Sequence, residues 1–216
     1  MLPKIMARFS TFDLVLIAVL AALGVATKPI IVPLAHLITG PLFIPGGSLA
    51  GGLYMFWLVV GLGLTRKYGT ATLIGLVQAL MVIGTGVIGS HGVMSLLSYT
   101  LPGVAVDLGL FLIGRHKADC LFCCFIGGIL ANLTGSLTVN VLFFRLPFIP
   151  LLLCLCTAAF SGALGGILAW QVLKALRKYK IGTRFTTAYN VDQMEVEQRT
   201  AQMGGYQHEG NKSAAK

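Results

Sequence analysis

Long apolar segments separated by short polar connections dominate this chain. Asp, Glu, Lys and Arg are absent from three long stretches, residues 68–106, 120–144 and 146–173. A helix that crosses a bilayer needs ~20 apolar residues. The pattern predicts six transmembrane helices, of which the last five fall at about 48–65, 70–89, 93–113, 118–143 and 148–175. We therefore expect an all-α polytopic membrane protein whose six helices form a bundle.

The first apolar stretch is short for a span, because it begins near Phe12 and meets Lys28 and Pro29. Four prolines and the pair Gly46-Gly47 occur between residues 28 and 47. Proline breaks a regular helix, so this segment is predicted to end the first helix and then make an ordered excursion near the membrane surface. A cleaved signal peptide is an alternative for the first stretch, although cleavage would upset the charge pattern described next.

Composition and charge support membrane insertion and orient the chain. Of its 216 residues, 56% are hydrophobic and 11% charged, with a mean hydropathy of +0.85, which excludes an ordinary water-soluble fold. The net charge of +9 is not attributed to nucleic-acid binding, because the basic residues flank apolar segments. One predicted side of the membrane carries eleven of them and the other only two, which places both termini in the cytoplasm. The eleven are Lys4, Arg8, Arg66, Lys67, Arg115, Lys117, Lys174, Arg177, Lys178, Lys180 and Arg184.

The end of the chain differs in composition from the rest. From about residue 181 the sequence turns polar, which predicts a disordered tail. The predicted division is therefore a membrane domain at 1–180 and a cytoplasmic tail at 181–216. The tight turn predicted at Gly89–Gly92 lies between the third and fourth spans.

Small residues form a stripe on the first helix. Ala18, Ala22 and Ala26 recur every four residues and so share one helix face. Such a stripe serves close helix packing inside a bundle, or it offers a docking surface to a separate membrane subunit. Periodicity alone favours packing. Ser161, Gly165 and Ala169 repeat the pattern on the last helix, where packing is also expected.

Polar residues inside apolar helices are candidates for ligand contacts. Asp107 is the only carboxylate deep within a predicted span, and it shares a helix face with Tyr99. The fifth span carries Asn132, Ser136 and Asn140 on one face. Each set fits either a ligand-facing stripe or a structural hydrogen-bond network. Lys28 is expected to snorkel towards the membrane surface.

The placement of the cysteines argues against a metal site, and the lack of known catalytic motifs in the sequence argues against enzyme chemistry. Five cysteines fall in two groups near opposite predicted membrane faces, so they are expected to be small hydrophobic residues rather than zinc ligands. The sequence contains no Walker-type loop, no Gly-x-Ser-x-Gly and no His-Glu-x-x-His. No cofactor, metal or enzymatic activity is predicted.

The chain resembles the S components of energy-coupling factor (ECF) vitamin transporters over roughly residues 10–178. The resemblance is carried by the six predicted helices, the Pro/Gly-rich segment after the first helix, and the alanine stripe. The resemblance implies that Ala18, Ala22 and Ala26 dock on a membrane coupling subunit, the T component, which two ATPases drive. It also implies capture of a small water-soluble vitamin on the outer face.

Within that family the run from Gly51 to Lys117 looks nearest the thiamine and hydroxymethylpyrimidine branch. A neutral pyrimidine is easier to accommodate than a cationic thiazolium, because Asp107 is the only buried acid. The predicted substrate-binding residues are Trp57, Tyr99, Asp107, Asn132, Ser136 and Asn140. Two alternatives stay open: a small membrane enzyme or assembly scaffold, and a self-sufficient secondary carrier.

Overall fold

A computed structural model describes residues 9–42, 46–86, 92–113 and 120–178. Within these ranges the chain forms six α-helices and no strand, which confirms the predicted all-α class. The helices are α1 (Thr11–Thr39), α2 (Gly46–Thr65), α3 (Thr70–Thr85), α4 (Ser95–Leu112), α5 (Leu121–Val139) and α6 (Phe148–Lys178). Short 3-10 turns occupy Gly40–Leu42 and Gly92–Met94, and a π-helical segment, Asn140–Phe144, continues α5.

Five helical segments in the described part of the chain are long and apolar enough to cross a membrane. They are Thr11–Thr39, Gly46–Thr65, Gly92–Leu112, Leu121–Phe144 and Phe148–Lys178. The sixth, α3, is apolar but has 16 residues. At 1.5 Å per residue α3 is about 24 Å long, shorter than a typical hydrocarbon core of about 30 Å. The protein is therefore a multi-pass membrane protein.

The first helix is longer than the sequence predicts. We expected it to end near Lys28, but α1 continues through Pro29 and Pro33 to Thr39. The two prolines lack N–H groups, so the carbonyls of Val25 and Pro29 lose their usual donors. Ending the helix would leave more backbone groups without partners in an apolar environment, so the helix continues past the prolines. The predicted surface excursion was wrong for residues 29–39.

Two other expectations fall largely on residues outside the described ranges. The predicted tail at 181–216 lies entirely outside them, and of the predicted turn at Gly89–Gly92 only Gly92 lies inside. The third span was predicted to reach residue 89, whereas α3 ends at Thr85. Gly86 follows it in the left-handed conformation (φ 62°), where a Cβ would be strained.

The described residues fall into two units, a larger one of residues 15–175 and a smaller one that includes residues 9–14 and 176–178. In the larger unit α2 packs against α3 and α5, α3 packs against α4, and α4 packs against α5. Where the smaller unit is described, Ser10 and Asp13 form a reciprocal cap at the start of α1. Ser10 N donates to Asp13 Oδ2 (3.0 Å), and Asp13 N donates to Ser10 Oγ (3.3 Å).

Small residues bring α6 close to its neighbours, as expected from their spacing. Ser161, Gly165 and Ala169 are all buried. A Cβ built on Gly165 would lie 2.1 Å from the carbonyl oxygen of Gly52, so only glycine allows this approach of α6 to α2. A Cβ on Gly128 of α5 would likewise lie 2.2 Å from the carbonyl oxygen of Gly162. The predicted packing role of the α6 stripe is confirmed.

Candidate functional site

A cavity of about 160 Å³ lies inside the larger unit. It is lined by the second half of α1, the first halves of α2, α4 and α6, and the end of α5 with its π-helical extension. All of these segments meet at one end of the helices, where α1 and α5 finish and α2, α4 and α6 begin. The lining mixes apolar side chains with serine, tyrosine, asparagine, histidine and lysine.

A lysine between two aromatic rings is the main charged feature of this cavity. Lys28 is buried, with only 7% of its surface exposed. Its Nζ lies 3.6 Å from the ring centroid of Tyr99 and 4.3 Å from that of Tyr54. Each distance is within the range at which an ammonium is attracted to the face of an aromatic ring. The two rings, one from α2 and one from α4, therefore hold the ammonium at the cavity wall.

The first turn of α2 supports this arrangement. Tyr54 donates its hydroxyl hydrogen to the carbonyl oxygen of Gly47 (3.1 Å), which fixes the ring that faces Lys28. A Cβ on Gly46 would lie 2.8 Å from the imidazole of His36, so glycine is needed where α2 begins against α1. His36 and Gly47 both line the cavity.

Asn140 supplies a polar group at the end of α5. It is 3% exposed, and its Oδ1 accepts a hydrogen bond from Leu146 N (3.2 Å). Its Nδ2 has no hydrogen-bond partner among the described residues. Asn140 begins the π-helical segment, in which its carbonyl accepts from Arg145 N (2.8 Å), five residues later. π-Helical turns occur frequently at functional sites, and this one sets an amide with an unused donor in the cavity wall.

Three of the six predicted binding residues line this cavity, namely Tyr99, Ser136 and Asn140. Asp107 lies eight residues along α4 from Tyr99, about 12 Å at 1.5 Å per residue. Its Oδ2 accepts hydrogen bonds from the backbone N (2.8 Å) and hydroxyl (2.7 Å) of Thr72. Thr72 is in the first turn of α3, so the carboxylate caps that helix and complements its dipole.

Asn132 and Trp57 also make contacts between helices, and neither residue is in the cavity lining. Asn132 Nδ2 donates to the carbonyl oxygens of Ser48 (2.9 Å) and Ala158 (2.8 Å), joining α5 to α2 and α6. Trp57 Nε1 donates to Thr27 Oγ1 (3.2 Å) and so joins α2 to α1. The structure places both side chains in the bundle framework.

Sequence reasoning did not include Lys28, His36 or Tyr54 among the binding residues. Lys28 and His36 are eight residues apart on α1, with Val32 between them, so all three share one helix face. That spacing was available in the sequence. It was missed because the helix was predicted to end at Lys28, which removed any reason to look for a face beyond it.

The alanine stripe of α1 lies on the outward face of the helix. Ala18 and Ala26 are exposed and Ala22 is partly exposed, whereas Ile17 and Ala21 are buried in the larger unit. Among the described residues, Ala18 and Ala26 are therefore not packed within the chain, which was the alternative that periodicity favoured. The described residues also contain no group of three or more His, Cys, Asp or Glu side chains that could hold a metal ion.

Comparisons with known proteins point to transport. The profile of a family described as "ABC-type cobalt transport system, permease component" matches residues 12–134. A solved structure titled "Crystal structure of an S-component of ECF transporter" superposes with a TM-score of 0.69 at 18% sequence identity. The alignment covers 89% of this chain and 98% of that one, so the two share a fold. No curated protein matches the sequence.

Proposed function

The chain belongs to the family described as ABC-type cobalt transport system, permease component, and from that membership we propose that it is the substrate-capture subunit of an ECF-type importer. The S-component fold and the permease family indicate a transporter subunit rather than an enzyme. We propose that it takes up a small water-soluble vitamin or vitamin precursor and passes it inward with the help of partner subunits.

The observation that carries this proposal is a cavity with buried polar and charged lining groups inside an otherwise apolar bundle. A buried lysine and asparagine are unfavourable in a membrane, so they are retained where they face a water-filled space or a ligand. The cavity lies at the end of the helices opposite the basic connection that begins with Arg66 and Lys67. If that basic side is cytoplasmic, as the positive-inside rule predicts, the cavity faces outward, as capture of an external substrate requires.

Partner docking is proposed for the alanine stripe of α1. A flat strip of small side chains lets another helix approach closely in lipid, where no hydrophobic effect drives association. Ala18, Ala22 and Ala26 provide such a strip on an outward face, since the buried face of α1 is made by other residues. We propose that the T component of an ECF transporter binds there and that two ATPases supply the energy.

The cavity favours an uncharged or anionic ring over a metal ion or an organic cation. A volume of about 160 Å³ is close to that of a cavity known to hold one benzene ring. The ammonium of Lys28 repels Co²⁺ and a thiazolium alike. Among the ligands of the thiamine and hydroxymethylpyrimidine branch, the single pyrimidine ring is therefore proposed over thiamine. Tyr99, Ser136 and Asn140 are its proposed contacts, together with Lys28.

Purification from native membranes tests the importer role. A tagged chain solubilised in mild detergent is expected to recover a membrane coupling subunit and two ATPase subunits, identified by mass spectrometry. Repeated recovery of the chain with no ATP-hydrolysing companion would contradict the proposal.

Cobalt is examined separately by measuring uptake of radioactive Co²⁺ in cells with and without the gene. The cavity chemistry predicts equal uptake. If cells without the gene take up less Co²⁺ than cells with it, the metal and not a vitamin is the cargo.

A further inference from the structure

We infer that Lys28, set between Tyr54 and Tyr99, recognises an acidic group on a single-ring ligand, so that the cavity selects a ring carboxylate over its neutral and cationic analogues. This inference rests on the proposed function, because it names the ligand class of the same cavity. It goes further in replacing the neutral pyrimidine by a ring that carries a negative charge, and in assigning the lysine that recognises this charge.

In the described part of the chain, no acidic side chain lies against Lys28. The sequence contains no Asp or Glu from residue 14 to residue 106, and none of the residues that line the cavity is acidic. Asp107, the next acid along the chain, lies towards the other end of α4, where its Oδ2 accepts hydrogen bonds from Thr72 of α3. Of the described acidic residues, none pairs with Lys28. A buried ammonium is unfavourable unless an anion or a polar partner balances it.

The two tyrosine rings hold the ammonium but do not neutralise it. At 3.6 Å and 4.3 Å from the ring centroids, Nζ is attracted to both faces. When Lys28 is protonated, this attraction leaves its positive charge at the cavity wall, where the low dielectric strengthens its effect on a bound ligand. The rings also limit the motion of the lysine, so its position is set before a ligand enters. A ligand carboxylate would supply the ion-pair partner that the described residues do not provide.

A second donor favours the same ligand class. Asn140 Nδ2 has no partner among the described residues, and the side chain is 97% buried in the cavity wall. Ser136, one turn earlier on α5, contributes a hydroxyl to the same lining. An amide N–H, a hydroxyl and an ammonium all donate hydrogen bonds, so the polar part of the cavity is suited to acceptor oxygens. A carboxylate provides two such oxygens, and the single ring fits the volume of about 160 Å³.

Three ligands of nearly equal shape and different charge test this inference. The full chain in lipid nanodiscs is titrated calorimetrically with pyridine-3-carboxylate, pyridine-3-carboxamide and 1-methylpyridinium-3-carboxamide. The carboxylate is expected to bind at least about tenfold more tightly than the neutral amide, and the cation more weakly than either. Equal affinities, a preference for the cation, or no binding of the carboxylate at about 1 mM would overturn the inference.

Substitution of Lys28 tests whether this side chain causes the preference for a negatively charged ligand. In Lys28→Met the carboxylate and the amide are expected to bind with nearly equal affinity, whereas Lys28→Arg is expected to keep the preference. Lys174→Met is a matched control, because Lys174 also lies over an aromatic ring, 5.0 Å from the centroid of Trp170, but does not line the cavity. An unchanged preference in Lys28→Met would assign the selectivity to another group. The ranking of the three ligands by the unmodified chain decides the ligand class even if a variant fails to fold.

The two proposals fail separately. Recovery of the chain without ATPases, together with a tenfold preference for the carboxylate, would remove the importer role and keep the inference. Recovery of the coupling subunit and ATPases, together with a preference for the cation, would remove the inference and keep the importer role.

Discussion

Asn132 Nδ2 lies 2.8 Å from the carbonyl oxygen of Ala158, and the same nitrogen donates to the carbonyl oxygen of Ser48 at 2.9 Å. One amide group therefore joins three helices, α5, α6 and α2. A Cβ on Gly51 would lie 1.7 Å from Asn132 Oδ1, so the glycine leaves the space that this amide occupies. Ser48 lines the cavity and lies in the first turn of α2, the helix that also carries Tyr54. The Asn132 contact therefore stabilises the helices on which the cavity depends.

Replacement of Asn132 by alanine is expected to lower thermal stability. Two hydrogen bonds between helices are lost, and in membranes such bonds contribute about 0.6–2 kcal/mol each. Thr138→Ala on the same helix is the control, because Thr138 Oγ1 donates only within α5, to the carbonyl oxygen of Thr134 (2.7 Å). Thermal unfolding in nanodiscs is the measurement. Equal midpoints for Asn132→Ala and the unmodified protein would contradict the role assigned to Asn132.

Close approach of α5 to α6 is expected to depend on Gly128. In Gly128→Ala the new Cβ would lie 2.2 Å from Gly162 O and 2.7 Å from Gly166 N, both backbone atoms, so the helices must move apart. Overpacking of this kind destabilises by about 1–3 kcal/mol. Gly84→Ala is the matched control, because a Cβ there meets nothing within 4 Å and alanine favours the helix. Unfolding in a denaturing detergent series should separate the two variants, and equal losses would contradict the packing account.

Asp107 is expected to act on stability rather than on ligand affinity. Asp107→Ala removes two hydrogen bonds to Thr72 and leaves the start of α3 without its carboxylate. A loss of about 1.5–3 kcal/mol is expected, because bonds to charged groups are stronger than average. Asp107→Asn keeps an acceptor and should lose less. Affinity for the ring ligand, measured on folded protein, should stay the same in both variants. A marked fall in ligand affinity at unchanged stability in either variant would show that Asp107 contacts the ligand.

The alanine stripe is expected to affect assembly with the coupling subunit and not ligand binding. In Ala22→Trp a large side chain stands on the outward face of α1, so co-purification of the coupling subunit should be lost while ligand binding is retained. Leu108→Trp on α4 is the control, because Leu108 is 54% exposed and lies outside the stripe. Normal recovery of the complex with Ala22→Trp would rule out docking through this strip.

The sequence predicted the all-α class and the packing of α6 well, because both depend on local features, namely the length of apolar segments and the spacing of small residues. Ser161, Gly165 and Ala169 are packed as their spacing predicts. The extent of α1 could not be predicted from Pro29 alone, because a proline ends a helix in water but is tolerated where the surroundings are apolar. This error also hid the face shared by Lys28 and His36.

The candidate site was predicted only in part, for a different physical reason. Any polar side chain in an apolar helix must face inward, whether it meets a ligand or another helix. Asn132 and Asp107 meet other helices, whereas Asn140, on the same sequence stripe as Asn132, lines the cavity. Only the three-dimensional contacts distinguish these two outcomes.

Native mass spectrometry of the chain purified from its own membranes tests the central claim most directly. The account predicts one small, single-ring molecule bound per chain. It also predicts that Ser136→Phe, which fills the cavity, loses that molecule. Leu137→Phe is expected to retain it, because Leu137 is 44% exposed and does not line the cavity. A chain that carries no small molecule, or one retained equally by both variants, would contradict ligand capture in this cavity.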